Sequence, residues 1–427
     1  MEILGGIMKT KYPNLFGILA VLMLVVSFVM PVNLATSAVS ADPGICKWDT
    51  LREPGSLTGT EVIAIRSDPI DMAVGSDFNT MVIVIKEITA TGASTNLFKW
   101  SNTKGLFWSA SKFQALTRTT GWVTGLQTYF VAMAPDDPNF FAVVTDWPTP
   151  VAGPRQVWVT SNGGSAWNFT NLTLAGGEYI RTIDVSADYG GRRDIAVGTE
   201  LGGLALGDVY VIKSSGFSGW VDQNIGSAAL MNATEDVFAV KFSPSYASDS
   251  SLIIVGADLT SGVAPCADGG TYYNIALRDI DGNSILAFQF TGLGIEVRDA
   301  TWNGGSSPNA AQLHKVSVAL PSDFSGQAAS LRRTYIATDA IVGGVQGAPC
   351  PTAKPDCARD GIFRIDDTTQ YTLMDTHSTP AKSIYSIAYF GTYASGKLLA
   401  GEHMGYPCTA TVPTWFTDSP TTCPIPC

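Results

Sequence analysis

The sequence has few charged residues and few histidines for its length. Only 15% of its 427 residues are charged, three are histidines, and 37 acidic side chains outnumber 26 basic ones, for a net charge of −11. This acidic balance speaks against a nucleic-acid-binding protein, which needs a basic surface to neutralise phosphates. Because 45% of the residues are apolar, the scarcity of charge indicates a folded chain and not a disordered one.

Recognisable catalytic and membrane motifs are also scarce. No motif such as G-x-S-x-G accompanies His314, His377 or His403, so a nucleophile with a histidine base is not indicated. After the N-terminal region, no segment is long and apolar enough to span a membrane. The 43 glycines, together with recurring Thr, Ser, Val, Tyr and Trp, favour strands joined by tight turns over helices.

The N-terminus has the pattern of an export signal. Two lysines precede an apolar run over residues 15–32, and small residues follow in "NLATSAVSADPG". A basic start, an apolar centre and an A-x-A-like end predict a secretory signal peptide, residues 1–41, cleaved after Ala41, with Ala38 as the alternative site. An uncleaved membrane anchor is the competing interpretation, since about 18 apolar residues can just span a bilayer. We therefore expect a secreted or cell-surface protein.

All seven cysteines lie in the part of the chain that is expected to be exported, where disulfides can form. They are Cys46, Cys266, Cys350, Cys357, Cys408, Cys423 and Cys427. Cys350 and Cys357 flank the short segment "PTAKPD" and are the best candidate pair, and the odd total leaves one thiol over or one bond to a partner. A zinc site is the alternative, but it needs closely paired Cys or His ligands, and the spacings here are loose.

One pattern recurs along the whole chain. An alternating strand is followed by a turn with a small residue or proline and an acidic or aromatic residue, and then by a strongly apolar strand. Six copies begin at Asp71, Val131, Ile183, Val240, Val316 and Ile387. A half-buried strand and an outer strand follow each copy, as in "VWVTSNGGSAWNF" after the second. Four strands per unit of about 40 to 60 residues are the signature of a β-propeller blade.

Residues 42–427 are therefore predicted to form an all-β fold, a six-bladed β-propeller of four-stranded antiparallel blades, with a seventh blade as the alternative. A ring of blades buries both faces of every sheet, which a lone sheet cannot do. The sequence around Trp48 resembles an outer strand and is expected to complete the last unit. The final "CPIPC" is more typical of a continuing sequence than of a finished end, so we expect a longer natural chain.

Two turns match the spacing S/T-x-D-x-G-x-T-W, which is known as the Asp-box. The matching residues are Thr160, Asn162, Gly164 and Trp167 in one turn, and Ser101, Gly105 and Trp108 in the other. With phrases such as "FSPSYASDSSLIIVG", most of the mature chain resembles BNR/Asp-box propellers, a family of sialidases, sortilin-like receptors and secreted bacterial proteins of the cell surface and S-layer. The resemblance implies that this turn lies on the outer rim, away from the central face where ligands bind.

The Asp-box turn is expected to have a structural role. Its Asn caps backbone N–H groups of the turn, its Gly adopts a positive φ, and its Trp covers apolar area between adjacent sheets. A phosphate-binding loop is the alternative, but such a loop precedes a helix, and the strand-like "NFTNLTLAGG" follows here.

The sequence offers only weak candidates for a catalytic or calcium-binding site. Glycoside hydrolysis needs two carboxylates at a set separation, and the many Asp residues at strand ends nominate no pair. A sialidase also needs an arginine cluster, and "IFRIDD" only partly resembles the F-R-I-P motif of that family. Asp279, Asp281 and Asn283 alternate like the start of a calcium loop, but the Glu expected near its end is absent, and a hairpin turn is the simpler interpretation.

The sequence thus predicts a secreted, non-catalytic β-propeller without a cofactor. We expect it to bind a surface polypeptide or glycan, or to associate with itself in an S-layer-like surface layer, with membrane contact only through an uncleaved signal segment. The alternative is an extracellular glycoside hydrolase of the sialidase or xyloglucanase-like propeller type. The two differ at the mouth of the central channel, where an enzyme gathers acidic, basic and aromatic side chains.

Overall fold

The computed structural model describes about half of the chain, and almost all of that part is β-structure. The described residues are 68–77, 79–89, 92–101, 107–108, 127–146, 153–201, 207–213, 219–223, 235–258, 270–277, 295–299, 312–342, 345–346, 361–375 and 383–403. The predicted signal peptide, Trp48, all seven cysteines and the calcium candidates Asp279, Asp281 and Asn283 lie outside these ranges.

The described strands form six consecutive antiparallel sheets, numbered here in chain order. Sheet 1 contains β1 (Asp68–Val74), β2 (Thr80–Thr89), β3 (Gly92–Ser101) and β4 (Phe107–Trp108). Sheet 2 contains β5 (Thr128–Ala134), β6 (Asp137–Asp146), β7 (Pro154–Thr160) and β8 (Asn168–Phe169). Sheet 3 contains β9 (Glu178–Val185), β10 (Asp194–Leu201), β11 (Val209–Lys213) and β12 (Val221–Asp222).

The remaining sheets continue the same order of neighbours. Sheet 4 contains β13 (Glu235–Phe242), β14 (Ser251–Asp258), β15 (Gly270–Leu277) and β16 (Ile295–Asp299). Sheet 5 contains β17 (Gln312–Ala319), β18 (Arg333–Val342), β19 (Val345–Gln346), β20 (Gly361–Asp366) and β21 (Thr369–Asp375). Sheet 6 contains β22 (Ser383–Gly391) and β23 (Gly396–His403). The described residues also include the short helix α1 (Tyr246–Asp249) and a 3-10 turn (Ala329–Leu331).

Buried apolar residues of the described part form five clusters, each of which lies between two consecutive sheets. The cluster between sheets 2 and 3, for example, joins Val144 and Val157 to Ile180 and Val197. The other four clusters fill the spaces between sheets 1 and 2, 3 and 4, 4 and 5, and 5 and 6. Each sheet except the first and last therefore buries both faces against its neighbours. This arrangement of four-stranded meanders stacked face to face, first strand beside first strand, is that of a β-propeller.

The first strands carry the same irregularity in every sheet. Pairing of each first strand with its second strand skips one residue, which marks a β-bulge. The skipped residues are Ile70, Tyr129, Arg181, Phe238, His314 and Tyr385. The residues just past the bulge include polar side chains that reach the next sheet, so the bulge has a role in joining consecutive sheets.

Polar side chains on the first strands satisfy backbone N–H groups of the next first strand. Asp71 accepts a hydrogen bond from Val131 N at 2.8 Å, and Asp184 accepts one from Phe242 N at 2.8 Å. The same kind of bond joins Thr182 to Val240 N (3.3 Å) and Ser317 to Ile387 N (3.1 Å). First strands of neighbouring sheets do not pair with one another, and these side chains supply the missing acceptors.

No helix among the described residues is both long enough and apolar enough to cross a membrane.

Candidate functional site

The two ends of the sheets differ, and they are named here by their connections. At the turn end, first strands pass into second strands, and the described residues of these turns are 75–77 and 79, 135–136, 186–193, 243–250, 320–332 and 392–395. At the loop end, first strands begin and second strands pass into third strands. Strands β4, β12, β14 and β16 end at the loop end, and β5, β13, β15 and β17 begin there.

Consecutive turns are tied together at the turn end. The Arg193 guanidinium pairs with the Asp136 carboxylate, which joins sheets 3 and 2. Tyr246 donates its hydroxyl to Asp194 at 2.6 Å, which joins sheets 4 and 3. These ties use the acidic and aromatic residues of the repeated turn, so the repeat at this end serves to hold the sheets together.

The same ties continue through the last three sheets. Asp249 is 3% exposed and accepts from Gly326 N at 2.9 Å, which joins sheets 4 and 5. Asp323 accepts from Tyr393 N at 2.6 Å, which joins sheets 5 and 6. The contacts at the turn end therefore hold consecutive sheets together, and its buried carboxylates accept hydrogen bonds from the protein's own groups.

The Asp-box turn also lies at the turn end. Thr160 Oγ1 accepts from Gly164 N at 2.9 Å, and Asn162 Oδ1 accepts from Ala166 N at 2.8 Å. Gly164 has φ +89°, a conformation that other residues adopt at a cost. Trp167 is buried and meets Phe141 edge to face at 5.4 Å, within the cluster between sheets 1 and 2.

The second, partial turn is described only in part. Ser101 ends β3, and Trp108 of β4 pairs with Trp100 of β3. Gly105 lies outside the described residues.

Charged side chains of the first strands meet at the centre of the array. Lys241 Nζ lies 2.8 Å from Asp184 Oδ1, and the two residues belong to consecutive sheets. Burial raises the pKa of Asp71, an effect that the nearby charges of Lys315 and Lys241 oppose. Asp71 of sheet 1 therefore lies within electrostatic reach of lysines from the first strands of sheets 4 and 5.

At the loop end, an arginine and two carboxylates lie together across sheets 3 and 4. Arg181, the bulged residue of β9, pairs with Glu200 at 2.5 Å, and both side chains are partly exposed. Asp236 is buried and accepts from Leu201 N at 3.0 Å and from Gly207 N at 3.1 Å. Burial, together with the negative charge of Glu200, raises the pKa of Asp236 to about 6.

A tyrosine and a carboxylate form the corresponding pair in sheet 2. Tyr129, the bulged residue of β5, hydrogen-bonds to Asp146 at the end of β6. Burial raises the pKa of both groups. The buried Oδ1 atom of Asp146 has no hydrogen-bond donor among the described residues.

An arginine and a buried glutamate connect sheets 2 and 3 at the same end. Arg155 donates to Ala175 O at 2.6 Å, and its guanidinium lies 5.8 Å from the centre of the Tyr179 ring. Glu178 accepts from Ala175 N at 2.9 Å and from the Thr199 hydroxyl at 2.6 Å. The loop end of sheets 2 to 4 thus gathers carboxylates, guanidinium groups and tyrosines.

Groups of this kind bind hydroxyls, amides and charged side chains through hydrogen bonds and aromatic contacts. Within the described ranges, no three His, Cys, Asp or Glu side chains are placed to hold a metal ion. Sequence reasoning did not single out Arg181, Glu200 or Asp236 as a group. The signal in the sequence is a polar residue within an otherwise apolar first strand. The group that this residue contacts depends on the neighbouring sheet, which the sequence pattern does not specify.

Comparisons with known proteins give distant structural likenesses. No protein-family model matches the chain, and no curated protein matches it. The α-L-arabinofuranosidase arb93a of Fusarium graminearum is 13% identical, with 79% of this chain and 87% of that chain covered and a TM-score of 0.41.

Two further solved structures are similar at the same distant level. YCF48 bound to D1 peptide is 14% identical, with 80% of this chain and 93% of that chain covered and a TM-score of 0.33. The GH74 enzyme of Niastella koreensis is 14% identical, with 78% and 42% covered and a TM-score of 0.26. Likenesses this distant assign no activity, so function must be argued from this chain's own residues.

Proposed function

We propose that the protein is a secreted, six-bladed β-propeller that binds a surface polypeptide or glycan at its loop end without cleaving it. The loop end carries partly exposed Arg181 and Glu200 together with Tyr129, Tyr179 and Arg155. These groups offer both donors and acceptors to a ligand. The turn end is less suitable, because its repeated turns are tied to one another.

The observation that carries the non-catalytic assignment is the engagement of three loop-end carboxylates, although Asp146 Oδ1 has no donor among the described residues. Glu178 and Asp236 each accept hydrogen bonds from two groups of the chain, and Glu200 forms an ion pair with Arg181. Carboxylates that already accept hydrogen bonds from the chain have an evident structural role, so none of these three needs a catalytic one to explain its place. This use of acidic residues supports a rigid binding surface.

The cellular setting of the proposal comes from the sequence. The signal-like residues 1–41 support export, and the Asp-box spacing of Thr160 to Trp167 supports a place among BNR/Asp-box surface proteins. The proposed ring has six blades because six repeats and six consecutive sheets coincide. Self-association in a surface layer is a further form that such a protein can take.

A second candidate function is glycoside hydrolysis, and one observation favours it. Asp236, with a pKa of about 6, lies near Glu200, so an acid that keeps its proton in mildly acidic solution is next to a second carboxylate. Glycosidases use such a pair, one group as the acid and the other as the nucleophile or base. Against this function, Asp236 is buried and already accepts hydrogen bonds from two backbone N–H groups.

A binding screen with a matched pair of variants tests the proposed surface. Peptides and oligosaccharides are presented to the full chain, and the affinity of each ligand that binds is measured for Arg181→Ala and Arg192→Ala. Both arginines belong to sheet 3 and both are exposed, but Arg192 lies at the turn end. We expect weaker binding for Arg181→Ala alone, and equal weakening by both changes would refute a loop-end surface.

The same ligands, recovered and weighed by mass spectrometry, distinguish binding from cleavage. Intact ligand supports the binding module. Cleavage that is lost in both Asp236→Asn and Glu200→Gln would establish the glycosidase instead.

A further inference from the structure

The Asp-box turn contains an Asn-Gly step, Asn162–Gly163, at the place where the family spacing has an aspartate. Such a step is prone to deamidation, because glycine has no Cβ to shield its backbone nitrogen from the preceding side-chain amide. In that reaction Gly163 N bonds to Asn162 Cγ, the Cγ–Nδ2 bond breaks, and Nδ2 leaves as ammonia with the proton of Gly163 N. Water then opens the cyclic imide to aspartate or isoaspartate.

The nucleophile of this reaction is held in the folded turn. Gly163 N donates to Asn139 O at 2.8 Å, and Gly163 O accepts from Lys99 Nζ of sheet 1 at 2.9 Å. Attack requires the nitrogen to lose its proton and to turn from Asn139 O towards the side chain of Asn162. The residue that must move is therefore fixed through both its N–H and its carbonyl group.

The side-chain amide is held as well, through its oxygen. Asn162 Oδ1 accepts from Ala166 N at 2.8 Å and from the Thr160 hydroxyl at 3.0 Å. Thr160 is buried, and its hydroxyl oxygen also accepts from Gly164 N at 2.9 Å. One hydroxyl thus connects the Asn162 side chain to the backbone of the turn, and the side chain cannot adjust to an attacking nitrogen without losing these bonds.

We propose that Asn162 is a deamidation site that the folded turn keeps unreacted, and that it reacts only when the turn opens. Its Nδ2 atom has no hydrogen-bond partner among the described residues, so the oxygen alone serves the turn. An aspartate formed by the reaction retains both acceptor contacts and strengthens them by its charge. The site lies at the turn end, so the proposal does not depend on the ligand of the proposed function.

Peptide mapping of the full chain by mass spectrometry, after incubation at mildly alkaline pH in buffer and in urea, tests the proposal. Asn303–Gly304 is the internal reference, because both sites have the sequence Asn-Gly-Gly-Ser and should react equally in urea. We expect Asn162 to react at least about tenfold more slowly in buffer than in urea, since reaction needs local opening of the turn. Equal rates of Asn162 deamidation in buffer and in urea would overturn the proposal.

A matched pair of variants assigns the protection to the contacts of the turn. Thr160→Val removes the hydroxyl and keeps the shape, whereas Thr160→Ser keeps the hydroxyl. In buffer we expect Asn162 to react about fivefold faster in Thr160→Val, which corresponds to about 1 kcal/mol for a lost hydrogen bond, and at the wild-type rate in Thr160→Ser. If Thr160→Val does not fold, Lys99→Met, which releases Gly163 O, takes its place, with Lys99→Arg as its control.

Equal rates in the two members of the pair would show that these contacts do not protect Asn162, and would overturn the proposal. Ligand binding is measured on the same samples. Its affinity should be the same before and after deamidation, because the turn end lies apart from the ligand surface. Failure of the deamidation prediction with normal ligand binding would therefore leave the proposed function in place.

Discussion

Replacement of Asp184 tests the role of the first-strand carboxylates most sharply. Its Oδ2 accepts from Phe242 N at 2.8 Å, and its Oδ1 pairs with Lys241 at 2.8 Å. Asp184→Ala leaves the Phe242 N–H buried without an acceptor, at a cost of about 1–3 kcal/mol. The ion pair adds about 0–1 kcal/mol, because the Lys241 side chain is 44% exposed. Together these give an expected loss of about 1–4 kcal/mol in the free energy of unfolding.

Two matched variants separate the hydrogen bond from the charge. Asp184→Asn retains an acceptor for Phe242 N and should lose less than Asp184→Ala, while Lys241→Met removes only the ion pair and should cost under about 1 kcal/mol. Urea unfolding gives the free energies, and hydrogen exchange at the Phe242 amide reports the bond directly. Equal losses for Asp184→Ala and Lys241→Met, with unchanged exchange at Phe242, would refute the reasoning.

Three further predictions concern packing and pH. An added Cβ at Gly198 lies 2.4 Å from Val237 Cγ1, so Gly198→Ala should lower the urea midpoint by overpacking worth about 1–3 kcal/mol, whereas Gly176→Ala, with open space around it, should leave the midpoint unchanged. Trp167→Ala empties a buried site between sheets 1 and 2 and should cost about 3–5 kcal/mol in the same assay; a loss below about 1 kcal/mol would contradict its burial. The pKa of Asp236 is about 6 in the fold against an ordinary 3.8, so the folded state holds a proton more tightly, and stability should fall as the pH rises through 6. Asp236→Asn should remove that part of the pH dependence, and an unchanged profile would show that Asp236 titrates normally.

The repeat was predictable from the sequence because its signals are local. The predicted copies at Asp71, Val131, Ile183, Val240, Val316 and Ile387 begin within β1, β5, β9, β13, β17 and β22. Alternation of apolar residues fixes which face of a strand is buried, and turn residues mark where strands end. Both properties belong to a few neighbouring residues, so no knowledge of the tertiary fold is needed to find them.

The loop-end group could not be predicted, because its members meet only in the folded chain. Glu200 and Arg181 are 19 positions apart, and Asp236 comes from the next sheet. The bulge at Arg181 changes the direction of the side chain without a sequence signature such as glycine. The cysteine pairing at Cys350 and Cys357 and the export signal remain predictions, since both lie outside the described residues.

Hydrogen–deuterium exchange of the full chain, with and without a ligand found in the screen, tests the central claim most directly. Slower exchange is expected at loop-end amides such as Leu201 and Gly207, with no change at turn-end amides such as Gly164 and Gly191, and with the ligand recovered intact. Protection confined to the turn end, or a ligand recovered as cleavage products, would contradict the account.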